Sequence, residues 1–326
     1  MREPANRIVS ADIGGTHARF VIASIEASGV KLGEPVTLRT RDYASFESAW
    51  EEFERQSQTE LPRELAIAIA GPIDGAELSL TNSQWRFNRD RIVDQLGLSS
   101  IVLMNDFGAV AHAVATADDT VLLHIAGPNK PLPKRGIVTI AGPGTGLGAA
   151  LLVRRDKDDY EIIETEAGHI DFSPLDVVED RIVVELRKTF RRVSAERLVS
   201  GPGLRNIYDV LGMIEGKPAA IRDETELWSA ALGQKDHLAT VALDRFCMCL
   251  GAVAGDFALA HGAGAVVLAG GIGKRLKDHL PLSGFADRFV AKGRFSSRLA
   301  SMPVKLITHP EPGLLGAAAA YAQKLR

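Results

Sequence analysis

The sequence predicts an α/β protein of two domains, on three observations. Short apolar runs of strand length alternate along the chain with longer helical patterns. A strand–glycine turn–strand unit occurs twice, at Ile8 to Ile25 and at Ile137 to Val153. The 326 residues suffice for two domains of about 150 residues each.

In chain order, Ile8 to Ile13 is an apolar strand that runs into Asp12-Ile13-Gly14-Gly15-Thr16, and Phe20 to Ile25 is the strand that follows the turn. Ser45 to Gln56 carries a helical pattern. Leu65 to Ala70 is a strand ending in Gly71-Pro72, and Ile101 to Met104 is a short strand ending in Asn105-Asp106. A helix follows at Phe107 to Ala115, and a domain boundary is expected near Ala115 to Thr120. Ile137 to Ile140 repeats the first strand, with Gly142-Pro143-Gly144-Thr145-Gly146 as its turn and Ala149 to Val153 as its partner. The copies align at an offset of 129 residues, Ile8 on Ile137 through Thr16 on Thr145. They differ chemically at one point, since Asp12 is matched by Ala141. Helices are expected at Val177 to Phe190, Ala239 to Ala260 and Gly316 to Leu325, and a strand at Ala265 to Ala269 before Gly270-Gly271.

Composition narrows the function classes. Hydrophobic residues make up 46% and charged residues 24%, as in an ordinary globular protein. The 38 basic and 41 acidic residues leave a net charge of −3, which draws the chain to neither nucleic acid nor an anionic membrane. The apolar stretch from Phe246 to Gly273 contains Asp256 and His261, so a buried helix and a strand are expected there rather than a membrane span. Two cysteines, Cys247 and Cys249, make no disulfide framework, and Met1-Arg2-Glu3-Pro4 has no signal-peptide pattern. A reducing, cytoplasmic location is expected.

Turns without Cβ atoms let backbone N–H groups approach an anion, and a threonine hydroxyl adds a donor. Two such turns in equivalent repeat positions would cradle a polyphosphate. Asp12 among phosphate binders makes sense with a cation between them, so Mg2+ is implied; its alternative role is to stabilise the turn. Asn105-Asp106, at a strand's C-terminal end, could orient a hydroxyl and take its proton. Taken alone, Asp106 reads better as the N-cap of the helix starting near Phe107. Glu166 and His169 could bond neighbouring hydroxyls of one polyol. A Glu166–His169–Asp171 metal cluster fits no helical zinc motif, and Cys247 and Cys249 read as buried thiols. The basic run Arg187 to Arg197 reads as a solvated helix face, with Glu196 open as an ordinary surface glutamate.

In this order, the motifs resemble the bacterial glucokinase family of the hexokinase–actin–Hsp70 ATPase superfamily. They are Asp12-Ile-Gly-Gly-Thr16-His-Ala-Arg19, Thr81-Asn82-x-x-Trp85, Asn105-Asp106-Phe107, Gly142-Pro-Gly-Thr-Gly-Leu-Gly148 and Glu166-Ala-Gly-His169. Ser194-Ala-Glu-Arg197 with Ser200-Gly-Pro-Gly203, Ala269-Gly-Gly-Ile272 and Pro312-Gly-Leu-Leu-Gly316 complete the set. The resemblance implies two ribonuclease-H-like (actin-like ATPase) α/β domains with a central cleft. The small domain would comprise residues 1–117 and 310–326, the large one 118–309. It implies transfer of the γ-phosphoryl group of MgATP to the 6-hydroxyl of D-glucose, with Asp106 as catalytic base. Asn105, Asp106, Glu166, His169 and Glu196 would bind the sugar. Asp12, Gly14, Gly15, Thr16, Gly142, Gly144, Thr145, Gly146, Gly270 and Gly271 would bind the nucleotide. Asp12 would hold Mg2+ through water, and the family implies a homodimer. Ala167 and Pro143 depart from the family's usual residues without changing an assigned chemical group.

The main alternative is an ATP-dependent kinase of another hexose: fructose, mannose or an N-acetylated amino sugar. Many relatives on that branch carry a cysteine zinc cluster after the Gly-His step, whereas here Ile170-Asp-Phe-Ser-Pro174 follows. A sugar-responsive regulator would need an N-terminal helix-turn-helix, for which a first strand at Ile8 leaves no room. A catalytically dead sugar-binding protein is opposed by the intact Asp12 and Asp106.

Overall fold

A computed structural model describes residues 6–71, 77–79, 85–156, 158–217 and 219–325. Met1 to Pro4, Pro72, Thr81 and Asn82, all used in the sequence reading, lie outside them. The chain divides into two compact units, Met1–Asp118 with His309–Arg326, and Asp119–Thr308.

The first unit is built on β1 (Asn6–Ile13), β2 (His17–Glu26), β3 (Gly29–Leu32), β4 (Val36–Arg39), α1 (Phe46–Ser57) and β5 (Glu64–Ile69). It continues through β6 (Glu77–Ser79), β7 (Arg86–Asn88), α2 (Arg89–Leu96), β8 (Ser100–Asn105) and α3 (Asp106–Thr116), and the C-terminal helix Pro312–Lys324 returns to it. The sheet order is β3-β2-β1-β5-β8, with β4 pairing β2. β1 is antiparallel to β2 and parallel to β5, which is parallel to β8.

The alternation along β1 sorts side chains to two faces. Val9, Ala11 and Ile13 pack with Phe20, Phe46, Trp50 and Phe53, while Ile8 packs with Ala66, Ala68, Ala109, Ala317 and Tyr321. Both faces are covered, so β1 from Ile8 onward is apolar on both sides apart from Ser10, whose buried hydroxyl donates to the Leu314 carbonyl, and Asp12. Helix α1 starts where the sequence predicts: the Ser45 hydroxyl accepts from Ser48 N–H and Ser48 returns the bond to the Ser45 backbone. The C-terminal helix lies so close to α3 that a Cβ on Gly316 would fall 1.6 Å from the Ala109 carbonyl oxygen. Only glycine fits there.

The second unit opens with β9 (Leu122–Ala126), β10 (Gly136–Pro143), β11 (Leu147–Arg154) and β12 (Tyr160–Thr165). Then come α4 (Val177–Phe190), α5 (Gly201–Glu215), α6 (Glu224–Leu232) and α7 (His237–Ala260). It closes with β13 (Ala265–Leu268), α8 (Gly270–Arg275), α9 (Phe285–Val290), α10 (Ser296–Ala300) and β14 (Val304–Ile307). Its sheet order is β12-β11-β10-β13-β14-β9. The first five strands repeat the order and relative directions seen in the first unit. The repeat carries one insertion. Ile13 pairs with Ala18, but its counterpart Gly142 pairs with Gly148, so the second turn is one residue longer.

Helix α7 is long and apolar enough by length and composition to cross a membrane, yet most of its apolar stretch is buried inside the unit. Cys247 and Cys249 lie in that core, and burial pushes the Cys247 thiol up to about 12, so both are inert thiols. One expectation needs correction. The basic run from Arg187 to Arg197 is not one solvated helix face, because α4 ends at Phe190 and Arg191 takes φ +59°. Beyond it, Arg192 pairs with Asp171 at 2.6 Å, and Arg197 lies over the Phe190 ring at 4.1 Å.

Candidate active site

Asp12 stands near the C-terminal end of β1, opposite Arg19 across the hairpin. The Arg19 guanidinium lies 3.5 Å from Asp12 and 3.5 Å from Glu311. Burial holds the Asp12 carboxyl above the ordinary aspartate value; Arg19 works against that and Glu311 adds to it. A Cβ on Gly313 would come within 2.6 Å of the Asp12 carboxylate, so Gly313 lets the first turn of the C-terminal helix close over it. Helix N–H groups there favour an anion. In the turn, Gly14 N–H donates to the His17 carbonyl and the Thr40 hydroxyl to the Gly14 carbonyl. Gly15 lies in the same turn, and Thr16 is exposed.

Asn105 ends β8, two strands from Asp12 at the same end of the sheet, because Ile13 pairs with Ile69 and Ile69 with Asn105. This is the edge where open α/β sheets place ligands. Asn105, not Asp106, is the helix cap: its side-chain Oδ1 accepts from Gly108 N–H at 2.5 Å. Asn105 has the extended backbone a cap needs, whereas Asp106 is already the first helical residue. The Asp106 carboxylate accepts from Phe107 N–H at 2.9 Å and stays half-buried at the helix start. The cap role thus falls to its neighbour.

In the second unit, the turn between β10 and β11 is closed by Gly144 N–H donating to the Gly146 carbonyl. Its glycines are there for different reasons. A Cβ on Gly142 would lie 2.3 Å from the Ala269 carbonyl oxygen, and one on Gly146 would lie 2.4 Å from Glu196 Oε2. One on Gly144 would meet nothing within 4 Å. The same split holds at the start of α8: Gly270, at φ +81°, would strike the Pro143 carbonyl, whereas Gly271 opens onto free space. Backbone packing therefore demands Gly142 and Gly270 but not Gly144 or Gly271, while a Cβ on Gly146 would displace only the end of the Glu196 side chain. Thr145 is exposed at the turn, like Thr16 in the other hairpin, and neither hydroxyl has a partner among the described residues.

Glu166 and His169 flank the short helical turn Ala167–His169, with His169 Nε2 3.8 Å from Glu166 and both side chains largely exposed. Gly168 allows this turn onto the start of β11, since a Cβ would fall 2.0 Å from the Leu147 carbonyl oxygen. The next residues run beside the segment holding Glu196: Ala195 N–H donates to Ile170, and Phe172 N–H to Val193. Glu196 Oε2 accepts from Leu147 N–H at 3.0 Å. The second unit thus gathers Glu166, His169, Glu196 and the Gly144–Gly146 turn in one neighbourhood.

Three residues join this picture that the sequence reading left without a role. Arg19 and Glu311 surround Asp12. Arg192 holds the Glu166–Asp171 loop through Asp171 and the His169 carbonyl, the latter at 2.5 Å. Hairpin register alone would have placed Arg19 opposite Asp12. Glu311 and Arg192 meet their partners only through the tertiary fold.

The glucokinase family profile matches residues 9–324. A glucokinase of Zymomonas mobilis is 56% identical over 318 residues, covering 97% of this chain and 98% of that one. A glucokinase of Caulobacter vibrioides is 39% identical over 319 residues, covering 97% of this chain and 95% of the other. The crystal structure of a glucokinase from an Antarctic psychrotroph superposes with a TM-score of 0.86 at 31% identity, over 97% of this chain and 99% of its own.

Proposed function

The chain belongs to the glucokinase family, and on that premise we propose that it transfers the γ-phosphoryl group of ATP to the 6-hydroxyl of D-glucose, giving glucose 6-phosphate and ADP. The observation that carries the reading is the split among the glycines. Gly144 and Gly271 have free space where packing would accept a side chain, as expected of backbone that must approach a nucleotide closely.

Asp106 is the proposed base. It takes the proton of the 6-hydroxyl as that oxygen attacks the γ-phosphorus, and the bond from phosphorus to the ADP oxygen breaks. Asn105, Glu166, His169 and Glu196 grip the other hydroxyls; a ring fixed by several such bonds cannot rotate its 6-hydroxyl out of line. The turns Gly14-Gly15-Thr16 and Gly142–Gly146 offer backbone donors and hydroxyls to the phosphates, and Gly270-Gly271 lies at the adenosine. Asp12 and Glu311 are oxygen donors suited to Mg2+. A half-buried carboxylate with a raised pKa beside a second carboxylate fits a place that gains from a cation. Such an ion neutralises phosphate charge when bound.

The finer fold reading belongs to the same proposal: each unit carries a ribonuclease-H-like sheet, supported by the five-strand order that both share. The two free cysteines support a cytoplasmic setting, and family resemblance supports a homodimer, which light scattering in solution tests. The substrate is tested by a coupled assay of ADP formation over a panel of hexoses. Glucose should give the highest kcat/KM. A higher value for fructose, mannose or an N-acetylated sugar would move the substrate assignment to that sugar.

A further inference from the structure

Glu196 is a proposed sugar ligand that also touches the nucleotide turn. Its Oε2 accepts from Leu147 N–H at 3.0 Å, directly after the Gly144–Gly146 turn. No other partner of the carboxylate occurs among the described residues, so Oε1 is open to a ligand. Gly146 has no Cβ at the one place where a Cβ would lie 2.4 Å from Oε2. The far side of the turn is tied down as well, because Gly201 N–H at the start of α5 donates to the Gly144 carbonyl at 2.8 Å. The turn is therefore held from two sides, by α5 and by Glu196.

We infer that Glu196 is a positioning residue for the nucleotide turn: one carboxylate oxygen fixes the backbone that receives the phosphates, while the other remains for the sugar. The inference rests on the phosphotransferase reading above and deepens it. Sugar and nucleotide would then share one side chain, and ordering it for one ligand prepares it for the other.

Electrostatics alone predicts the opposite sign. A carboxylate beside a polyphosphate repels it, so deleting Glu196 should tighten nucleotide binding if charge were its only effect. If the carboxylate orders the turn, deletion weakens that binding even without sugar. Calorimetric titration of the full-length chain with Mg2+ and a non-hydrolysable ATP analogue, sugar omitted, separates the two. Glu196→Ala should lose affinity by about fivefold or more, within the range usual for coupling between sites. Glu196→Gln should keep most of it, because an amide oxygen still accepts from Leu147 N–H. Gly146→Ala, which leaves Glu196 in place but pushes Oε2 off Leu147, should resemble Glu196→Ala and covers the case in which that variant folds poorly. Glu166→Ala should leave nucleotide affinity unchanged. Unchanged or tighter nucleotide binding in both Glu196→Ala and Gly146→Ala would overturn the inference, as would equal losses in Glu196→Ala and Glu196→Gln. Glucose binding by the wild type, measured in the same instrument, tests the underlying reading separately.

Discussion

At the scale of single residues, Asp12 carries a conflict between stability and function. Its folded pKa is raised, so ionising it at neutral pH works against folding; that loss begins as pH rises above the ordinary aspartate value, is complete once pH has passed the folded value, and persists above it. Asp12→Asn should therefore melt at a higher temperature than the wild type near pH 7 while losing kcat, the trade-off expected of a strained functional site. An unchanged or lower melting temperature would show that the Arg19 pair outweighs burial. The glycines make a second residue-scale case. Gly144→Ala should leave the melting temperature almost unchanged and weaken ATP binding, whereas Gly142→Ala, which forces a Cβ against Ala269, should destabilise by about 1–3 kcal/mol. A thermal melt and an ATP titration of both variants check this. Sequence alone reveals the Gly-Thr turns but not this division of labour, because what each absent Cβ would meet depends on Ala269, Glu196 and Pro143, all distant in the chain from at least one glycine they constrain.

Among the elements, those with an unbroken local signal are the ones the sequence locates well. Val177 to Phe190 is a helix with the bounds expected, its Asp176 cap accepting from Val178 and Glu179. Helix α5 escapes the same reading because Ser200-Gly-Pro-Gly203 looks like a turn, although proline is tolerated in a first helical turn. Strand β12 escapes it because its Tyr160–Thr165 run is only partly buried and mixes glutamates with apolar residues. A buried ionic tie between helices is likewise invisible locally. Glu179 of α4 is fully buried and takes both carboxylate oxygens to Arg288 of α9, at 2.8 and 2.6 Å. Arg245 of α7 joins at 3.2 Å, and Leu175 N–H donates at 2.8 Å. Removing one partner strands a buried charge, so Glu179→Ala should lose about 3–5 kcal/mol in denaturant unfolding. A loss below about 1 kcal/mol would mean that Arg288 finds water when its partner leaves.

Over the whole molecule, the repeated strand order gives each unit the same edge for its glycine turn, and each unit also keeps one histidine neutral by burial. His112 of α3 is pushed down to about 4 and His261, whose Nδ1 lies 2.9 Å from the Thr139 hydroxyl, is also lowered. Between pH 6.5 and about 4 the unfolded chain binds a proton at His112 that the folded chain does not, so stability falls with pH through that window. The melting temperature should drop from pH 7 to pH 5, and less steeply in His112→Gln; equal slopes would remove His112 as a cause. The repeat is legible in the sequence over Ile8 to Thr16, but the extra residue in the second turn appears only in the pairing of Gly142 with Gly148. What the site does rests finally on Asp106, and steady-state kinetics of Asp106→Asn on glucose and MgATP test it most directly. The variant keeps size and hydrogen bonding at the start of α3 but cannot take the proton. The expected result is a fall in kcat on the order of 10²-fold or more with a much smaller change in glucose affinity. A kcat close to wild type would contradict it.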